Sequence, residues 1–324
     1  MNPKIACVFA LLASGCINLD SQWFSPGPLD EYLAWQTEDS VVPTEHVEWL
    51  TLDSAPLDGE EDSTELHGVW LHQCTTTNDN SCLPSTFPWR QRQTILYLHG
   101  NSGSLDRYWD RLEILFRLGY TIFAVDYRGF GRSEGTPTEA GLYNDVRAAL
   151  DHVVRRVAVD RNPDVDLENP PSPSSLDIVY YGYSLGTVGA VNLATERNAA
   201  AAILEASNAG SQAFLDDGIG LGLDRSVFME TSFDNLGKIE FMLSPKVFLH
   251  GTDDDFVRYE FAEQLLARAR DPKQLFTVEG GLHGNVPCPS NPAPDRSEGN
   301  PCSASDAYKD VVGDFLDEYV GGAE

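Results

Sequence analysis

A serine flanked by glycines lies between an apolar run and a run of small residues, and few folds accommodate such an arrangement. The motif GYSLG occupies residues 182–186, the apolar run residues 178–181 and the small-residue run residues 187–194. A G-x-S-x-G pattern alone can arise by chance, but a strand that enters it and a helix that leaves it are the setting of a nucleophile elbow. The motif therefore predicts an α/β fold with the Ser184 hydroxyl exposed above the sheet.

The rest of the chain alternates short apolar runs with segments of helical periodicity, as βαβ units do. Runs rich in Ile, Leu, Val, Phe and Tyr predict central parallel strands at residues 94–98, 121–125, 177–181, 202–204 and 246–249, with a further strand at 275–278. Two earlier runs alternate apolar and polar residues and predict an antiparallel edge, at residues 47–52 and 66–72. Helices are predicted at residues 105–118, 138–157, 185–197, 259–270 and 305–319.

The N-terminus predicts export. One positive charge at Lys4 precedes an apolar stretch at residues 5–13 that is too short to span a bilayer, which is typical of a signal peptide over residues 1–15. The sequence LASGC at residues 12–16 resembles a bacterial lipobox, which implies acylation of Cys16 as the first residue of the mature protein. An ordinary signal peptide cleaved nearby is the alternative, because Ala13 stands where the lipobox usually has leucine.

An acylated Cys16 would place the exported protein on a bacterial membrane, with the outer membrane or the cell surface favoured. Residues 16–46 are polar and interrupted by prolines, so we expect a tether with one short helix near residues 29–35. A single folded α/β domain is then expected over residues 47–324.

Four cysteines follow the signal region, an even number that is consistent with disulfides in an oxidising compartment. The simplest pairing is local and joins Cys74 to Cys82 and Cys288 to Cys302. A zinc site is the less favoured alternative, because the spacings contain no C-x-x-C pair.

The charge balance excludes one class of partner. The chain has 22 Lys and Arg against 50 Asp and Glu, a formal net charge of −28. Because nucleic acid is itself a polyanion, a nucleic-acid partner is not expected. The acidity is explained by solubility.

Ser184 needs a base within hydrogen-bond reach and an acid to orient that base. The strand at 246–249 is followed by three consecutive carboxylates, Asp253, Asp254 and Asp255. His283 lies in a glycine-rich loop after the strand at 275–278. In proteins with a nucleophile elbow, the acid and the base follow the serine in the chain order Ser, Asp, His, and these residues have that order.

Further motifs carry a family resemblance, and they are LHGN at residues 98–101, DYRGFGRS at 126–133, SP at 244–245 and HG at 250–251. Together with the elbow, over about residues 47–319, they resemble the α/β-hydrolase superfamily. Within it they resemble the branch of serine aminopeptidases and monoglyceride lipases that also includes depalmitoylase-like enzymes. The resemblance implies the α/β-hydrolase fold, with a mostly parallel central sheet and helices on both faces.

The resemblance also implies residue roles. The family pattern H-G-x-x-D makes Asp254 the acid, with Asp253 and Asp255 as competitors and Glu205 as a further one, since some members place the acid there. The backbone N–H groups of Asn101 and Leu185 would form the oxyanion hole. His99 and His250 are expected to be structural, and the segment 126–133 is expected to stabilise the loops through Arg128.

The implied function is a serine hydrolase that cleaves a carboxylic ester, or a related thioester or amide, of a small acyl substrate without metal or cofactor. Residues 206–244 would form a small cap whose apolar stretches at 218–223 and 227–229 suit an acyl group. The alternative is a non-catalytic surface lipoprotein that uses the fold for binding.

Overall fold

A computed structural model describes residues 23–36, 40–74, 83, 90–91, 93–213, 230–291, 294 and 302–320. Its strands, in chain order, are β1 Ser25–Pro26, β2 Val47–Ser54, β3 Thr64–Leu71, β4 Thr94–Leu98, β5 Ser102–Gly103, β6 Thr121–Val125, β7 Ile178–Tyr183, β8 Ala201–Glu205, β9 Lys246–Gly251 and β10 Lys273–Val278. Eight of these strands form one sheet in the order β10-β9-β8-β7-β4-β6-β3-β2, and β1 pairs with β5.

The sheet is parallel from β10 to β6 and antiparallel at its other edge. β4, β7, β8 and β9 are buried along their whole length. Helices cover both faces of this part of the sheet, which is why these strands are nearly continuous apolar runs. β2 and β3 pair antiparallel, and β3 pairs antiparallel with β6. The predicted mostly parallel sheet with an antiparallel edge is confirmed.

The helices are α1 Leu105–Arg117, α2 Glu139–Arg161, α3 Leu185–Glu196, α4 Asn235–Lys238, α5 Tyr259–Arg268 and α6 Asp306–Tyr319. Successive residues of β4 contribute to two different hydrophobic clusters. One cluster takes Ile95 and Tyr97 and packs against α1 and α6, and the other takes Leu96 and Leu98 and packs against α2, α3 and α5. Because side chains alternate along a strand, this division confirms helices on both faces. No helix in the described ranges is long and apolar enough to cross a membrane.

The N-terminal strap, which we define as residues 23–36, packs against the sheet domain. Its β1 pairs with β5, the Tyr32 ring is buried against Trp49, and Ala34 begins a 3-10 helix, Ala34–Gln36, in place of the helix expected near 29–35. Val42 is also buried. The prediction of a tether is therefore wrong for residues 23–36 and 40–46, whose aromatic and apolar side chains are stabilised by burial. The predicted signal peptide and Cys16 lie outside the described residues.

Cys288 and Cys302 form a disulfide, which is the local pairing that the sequence favours. Cys74 is also disulfide-bonded, while Cys82 lies outside the described residues. Of the predicted cap, residues 206–213 and 230–244 are described and contain α4 and the 3-10 helix Ile239–Phe241. Both apolar stretches of the cap, at 218–223 and 227–229, lie outside the described residues.

Candidate active site

Ser184 lies at the sharp turn between β7 and α3. Its backbone has φ 52° and ψ −115°, a conformation that residues other than glycine rarely adopt and that the surrounding structure must enforce. A Cβ on Gly186 would lie 1.9 Å from the Leu98 carbonyl oxygen, and one on Gly182 would lie 2.6 Å from the Gly186 carbonyl oxygen. Both glycines of the motif are therefore required by close backbone contacts.

Three segments bring Ser184, His283 and Asp254 together. The Nε2 atom of His283 lies 3.0 Å from Ser184 Oγ, and its Nδ1 atom lies 2.9 Å from Asp254 Oδ2. Ser184 is 3% exposed and the Asp254 side chain is fully buried. With Nδ1–H donating to the carboxylate, Nε2 presents its lone pair to the serine hydroxyl, which is the arrangement of a general base.

The Asp254 carboxylate is held by several donors. Its Oδ1 accepts the backbone N–H groups of Phe256 at 3.0 Å and Val257 at 2.7 Å. His250 Nε2 lies 3.3 Å from Oδ2 and also donates to the Val257 carbonyl at 2.8 Å. Burial disfavours the charge, but hydrogen bonds from His250 and His283 outweigh it and hold the pKa of Asp254 well below its usual range. Asp254 is therefore a carboxylate at neutral pH.

The competing carboxylates lie elsewhere. Asp253 and Asp255 are exposed, and Asp253 accepts a hydrogen bond from its neighbour Thr252. Glu205 is buried, but its carboxylate accepts from Arg111 at 2.9 Å and from the Tyr181 hydroxyl. Among the four candidates, the hydrogen bond to the His283 ring is made by Asp254.

Two backbone N–H groups near Ser184, those of Leu185 and Asn101, are predicted to form an oxyanion hole. Leu185 is the first residue of α3, so its N–H has no acceptor within the helix. Asn101 follows β4, and Leu98 at the end of that strand is in register with Gly182 of β7. This register brings the turn that contains Asn101 next to the elbow.

A buried histidine supports that turn. His99 Nδ1 donates to the Gly100 carbonyl at 2.7 Å, and this carbonyl belongs to the same peptide group as the Asn101 N–H. His99 Nε2 lies 3.2 Å from Asp126 Oδ1, and both side chains are fully buried. His99 was predicted to be structural, and the structure specifies that it supports the peptide group next to Ser184.

Arg111 is a residue that the sequence patterns do not identify. Its buried guanidinium donates to Glu205 at 2.9 Å and to the Gly284 carbonyl at 2.8 Å, and it lies 4.1 Å from the centre of the Tyr183 ring. The Tyr183 hydroxyl donates to the His283 carbonyl at 3.2 Å. The sequence gives no signal for this role, because α1 contains five other charged residues, at positions 106, 107, 110, 113 and 117.

The Glu205 backbone completes this connection, because its carbonyl accepts the Ser184 N–H at 2.9 Å. The ion pair between Arg111 and Glu205 thus joins the elbow to the loop that carries His283. Burial opposes the charge on the guanidinium, but the Glu205 carboxylate raises the pKa of Arg111 well above its usual value. The cation is permanently charged at this position.

Arg128 behaves as a support for the loop at 126–133. Its buried guanidinium donates to Asp145 of α2 at 2.8 Å and to the Ser54 hydroxyl of β2 at 3.0 Å. No group of three or more His, Cys, Asp and Glu side chains within the described part of the chain is arranged to hold a metal ion.

The sequence model of the alpha/beta hydrolase family matches residues 95–320, well over half of the chain. The chain belongs to this family. It is 30% identical over 240 residues to the uncharacterized protein YfhR of Salmonella typhi, which covers 69% of this chain and 72% of the relative. It is 28% identical over 244 residues to human alpha/beta hydrolase domain-containing protein 17B, which covers 74% of this chain and 77% of the relative.

Solved structures share the fold. The chain is similar to the Pyrococcus furiosus esterase Pf2001, with a TM-score of 0.56 and 16% sequence identity over 92% of this chain and 100% of the esterase. It is also similar to the Paleococcus ferrophilus monoacylglycerol lipase, with a TM-score of 0.51 and 13% identity over 78% of this chain and 99% of the lipase. At these identities the likeness concerns the fold.

Proposed function

We propose that this member of the alpha/beta hydrolase family is a serine hydrolase that cleaves a carboxylic ester or a related acyl bond through an acyl-enzyme. The observation that carries the proposal is the continuous chain of hydrogen bonds from Ser184 through His283 to Asp254 at a strained elbow. Family membership supports hydrolase activity in general terms. Two proteins of the same fold are an esterase and a monoacylglycerol lipase, which favours an ester.

In the proposed mechanism Ser184 Oγ attacks the carbonyl carbon of the substrate while His283 Nε2 takes the hydroxyl proton. Asp254, held as a carboxylate, stabilises the resulting imidazolium and fixes its orientation. The N–H groups of Leu185 and Asn101 stabilise the developing oxyanion. The leaving group departs with the proton from His283, and a water deprotonated by His283 then hydrolyses the acyl-enzyme.

The surface beside His283 favours a substrate with an apolar portion. The ring of Phe256 is 51% exposed, and its centre lies 5.0 Å from that of the His283 ring. A large exposed aromatic side chain next to the proposed base offers contact area to an acyl chain or an aromatic ester. This supports an acyl ester or thioester as substrate.

Labelling with a fluorophosphonate tests the serine mechanism directly. We expect the wild-type protein to be labelled and Ser184→Ala to remain unlabelled while retaining its circular dichroism spectrum. A panel of p-nitrophenyl esters, acyl thioesters and aminoacyl amides then ranks the acyl bonds by kcat/KM. A folded wild-type protein that resists the probe would favour the alternative, a non-catalytic surface lipoprotein.

We also propose that the protein is exported and lipid-anchored at Cys16. The proposal rests on the lipobox-like sequence before Cys16, and the disulfide between Cys288 and Cys302 supports an oxidising compartment. Mass spectrometry of the mature N-terminus in its bacterial host should find a lipid on Cys16 and none in Cys16→Ala. An unmodified mature N-terminus at another residue would contradict the anchor.

A further inference from the structure

The N-terminal strap is attached to the turn that carries the proposed oxyanion donor. The Ser25 N–H donates to the Asn101 carbonyl at 2.8 Å, and the Gly27 N–H donates to the Gly103 carbonyl at 2.9 Å. These bonds form the parallel pairing of β1 with β5. The strap therefore fixes the backbone immediately after the Asn101 N–H.

A second attachment of the strap reaches the same turn through buried side chains. The Tyr32 hydroxyl donates to Asp126 Oδ2 at 2.6 Å, and the other oxygen of Asp126 lies 3.2 Å from His99 Nε2. His99 in turn donates to the Gly100 carbonyl. Tyr32, Asp126 and His99 thus lie in a buried series of side chains that ends on the peptide group containing the Asn101 N–H. Within it the Tyr32–Asp126 and His99–Gly100 contacts are hydrogen bonds, whereas Asp126 and His99 Nε2 are in contact without one, and Asp126 Oδ1 accepts the Leu105 N–H at 3.0 Å.

The strap is held in place by contacts of its own. The N–H groups of Leu33 and Ala34 donate to the Asp106 carboxylate at the start of α1, at 2.9 Å and 3.2 Å. The Tyr32 ring stacks on Trp49 with 4.2 Å between ring centres. Phe24 packs edge-on against Phe130 and Phe233. A segment anchored at both ends can fix the turn between its two attachments.

The position of an oxyanion donor matters because it must be in place before charge develops on the substrate, and losing one donor costs about 10²–10³ in kcat. A carbonyl that accepts a hydrogen bond also polarises the N–H of its own peptide group. In the turn, the Gly100 carbonyl accepts from His99 and the Asn101 carbonyl accepts from Ser25. Both peptide groups that flank Asn101 are therefore fixed.

We propose that the N-terminal strap is a positioning element of the oxyanion hole, in which Ser25 and Tyr32 hold the Asn101 N–H in the orientation that stabilises the transition state. This proposal rests on the proposed serine hydrolase function. It makes the segment that leads to the predicted anchor at Cys16 part of the active-site architecture.

Two variants separate the attachments. A Cβ at Gly27 would lie 2.8 Å from Gly103 Cα, a backbone contact that only a shift of the strap or the turn relieves, so Gly27→Ala should detach β1 from β5. Tyr32→Phe keeps the ring on Trp49 and removes the hydroxyl from Asp126. Tyr180→Phe is the matched control, because its buried hydroxyl donates to the Arg197 carbonyl at the far end of α3.

The measurements use an ester that the wild-type protein hydrolyses, together with a boronic acid or trifluoromethyl ketone as transition-state analogue. We expect kcat to fall by about 10–100-fold in Gly27→Ala and about 10-fold in Tyr32→Phe, with KM changed by less than about threefold, because the interaction is made in the transition state. Affinity for the analogue should fall in parallel with kcat. The pH profile of kcat should not shift, since Asp254 and His283 are untouched, and Tyr180→Phe should match the wild type.

Several results would overturn the proposal. One is a Tyr32→Phe protein that retains wild-type kcat and analogue affinity, and this variant decides the matter if Gly27→Ala folds poorly. Another is a loss of kcat in the strap variants that is proportional to their loss of Tm and is equally large in Tyr180→Phe. That result would indicate a general loss of stability and no specific effect on the turn. Failure of the proposed function is distinguishable, because the wild-type protein itself would then resist the fluorophosphonate and hydrolyse no ester.

Discussion

The two sides of Ser184 are built in different ways. On the acid–base side, the proposed groups are the side chains of His283 and Asp254, which follow the ends of adjacent strands, β10 and β9. On the oxyanion side, the proposed donors are backbone N–H groups, and their support comes from side chains such as Asp126 and Tyr32, which are 94 residues apart in the chain. Both sides leave a sequence motif, but the side chains that support the main-chain donors are found through contacts that no local motif records.

The two sides also differ in how their positions are secured. The loop with His283 is tied to the elbow by a buried ion pair, Arg111 with Glu205. The turn that contains Asn101 is held by hydrogen bonds from the N-terminal strap. The acid–base side should therefore respond to changes in the domain core, and the oxyanion side to changes in the strap.

The largest effect should come from removing the charge that orients the base. Asp254→Asn should lower kcat by about 10⁴, because the amide favours the wrong tautomer of His283. Asp253→Asn and Asp255→Asn are matched controls, and each should stay within about 0.5 kcal/mol of wild-type stability and keep its activity. Steady-state kinetics on one ester decides, and a fully active Asp254→Asn would move the acid to another carboxylate.

A smaller loss of activity should follow removal of Arg111, the cation that links the elbow to the His283 loop. Arg111→Met should lower kcat by about 10²-fold, since a displacement of about 1 Å at the reacting groups has this effect. It should also destabilise the fold by about 3–5 kcal/mol by leaving Glu205 buried without a cation. Arg111→Lys should restore part of kcat.

The double variant Arg111→Met with Glu205→Leu separates stability from positioning. Replacing both charges with apolar groups should return much of the free energy of unfolding. We expect kcat to remain low, because the Gly284 carbonyl still lacks its donor. A double variant with wild-type kcat would show that the ion pair only stabilises the fold.

The next largest effect is expected from the disulfide between Cys288 and Cys302, which closes a loop that follows His283 in the chain. Cys288 and Cys302 are separated by 14 residues, and a loop of this size contributes about 3 kcal/mol. Replacing both with serine should lower the free energy of unfolding in urea by that amount. Equal urea midpoints for the variant and the wild type would refute the contribution.

The smallest effect is a dependence of stability on pH. Because the pKa of Asp254 in the folded protein is lower than the value of about 3.9 in an unfolded chain, its carboxylate stabilises the fold above about pH 4. This contribution is lost as the pH falls through the folded pKa. The difference in unfolding free energy between wild type and Asp254→Asn should therefore shrink from pH 7 to pH 2. A difference that stays constant would contradict the lowered pKa.

The sequence predicted the sheet well where burial alone defines a strand. The predicted bounds of β4 and β6 are those observed. β7 and β9 extend two residues beyond the predicted ends, because hydrogen bonding continues through Gly182–Tyr183 and His250–Gly251, which an apolar pattern does not mark. Helix α2 continues to Arg161 through a charged final turn that has little apolar periodicity.

The sequence failed at the N-terminal strap for a related reason. Prolines and polar residues make residues 23–36 resemble a linker. Their partners, Asp106 and Asp126, lie more than 70 residues further along the chain. A segment whose anchoring hydrogen bonds are with distant residues has no local periodicity to reveal its position in the fold.

The sequence by itself determined the elbow, the order of serine, carboxylate and histidine, and the family fold, because close backbone contacts and strand burial dictate residue types at neighbouring positions. Only the tertiary structure decided which carboxylate contacts His283, that Arg111 joins the elbow to the His283 loop, and that the strap hydrogen-bonds to the turn that contains Asn101. Each of these depends on segments that are distant in the chain and meet only when the core packs. The resulting contacts are specific in space and leave no pattern in the sequence.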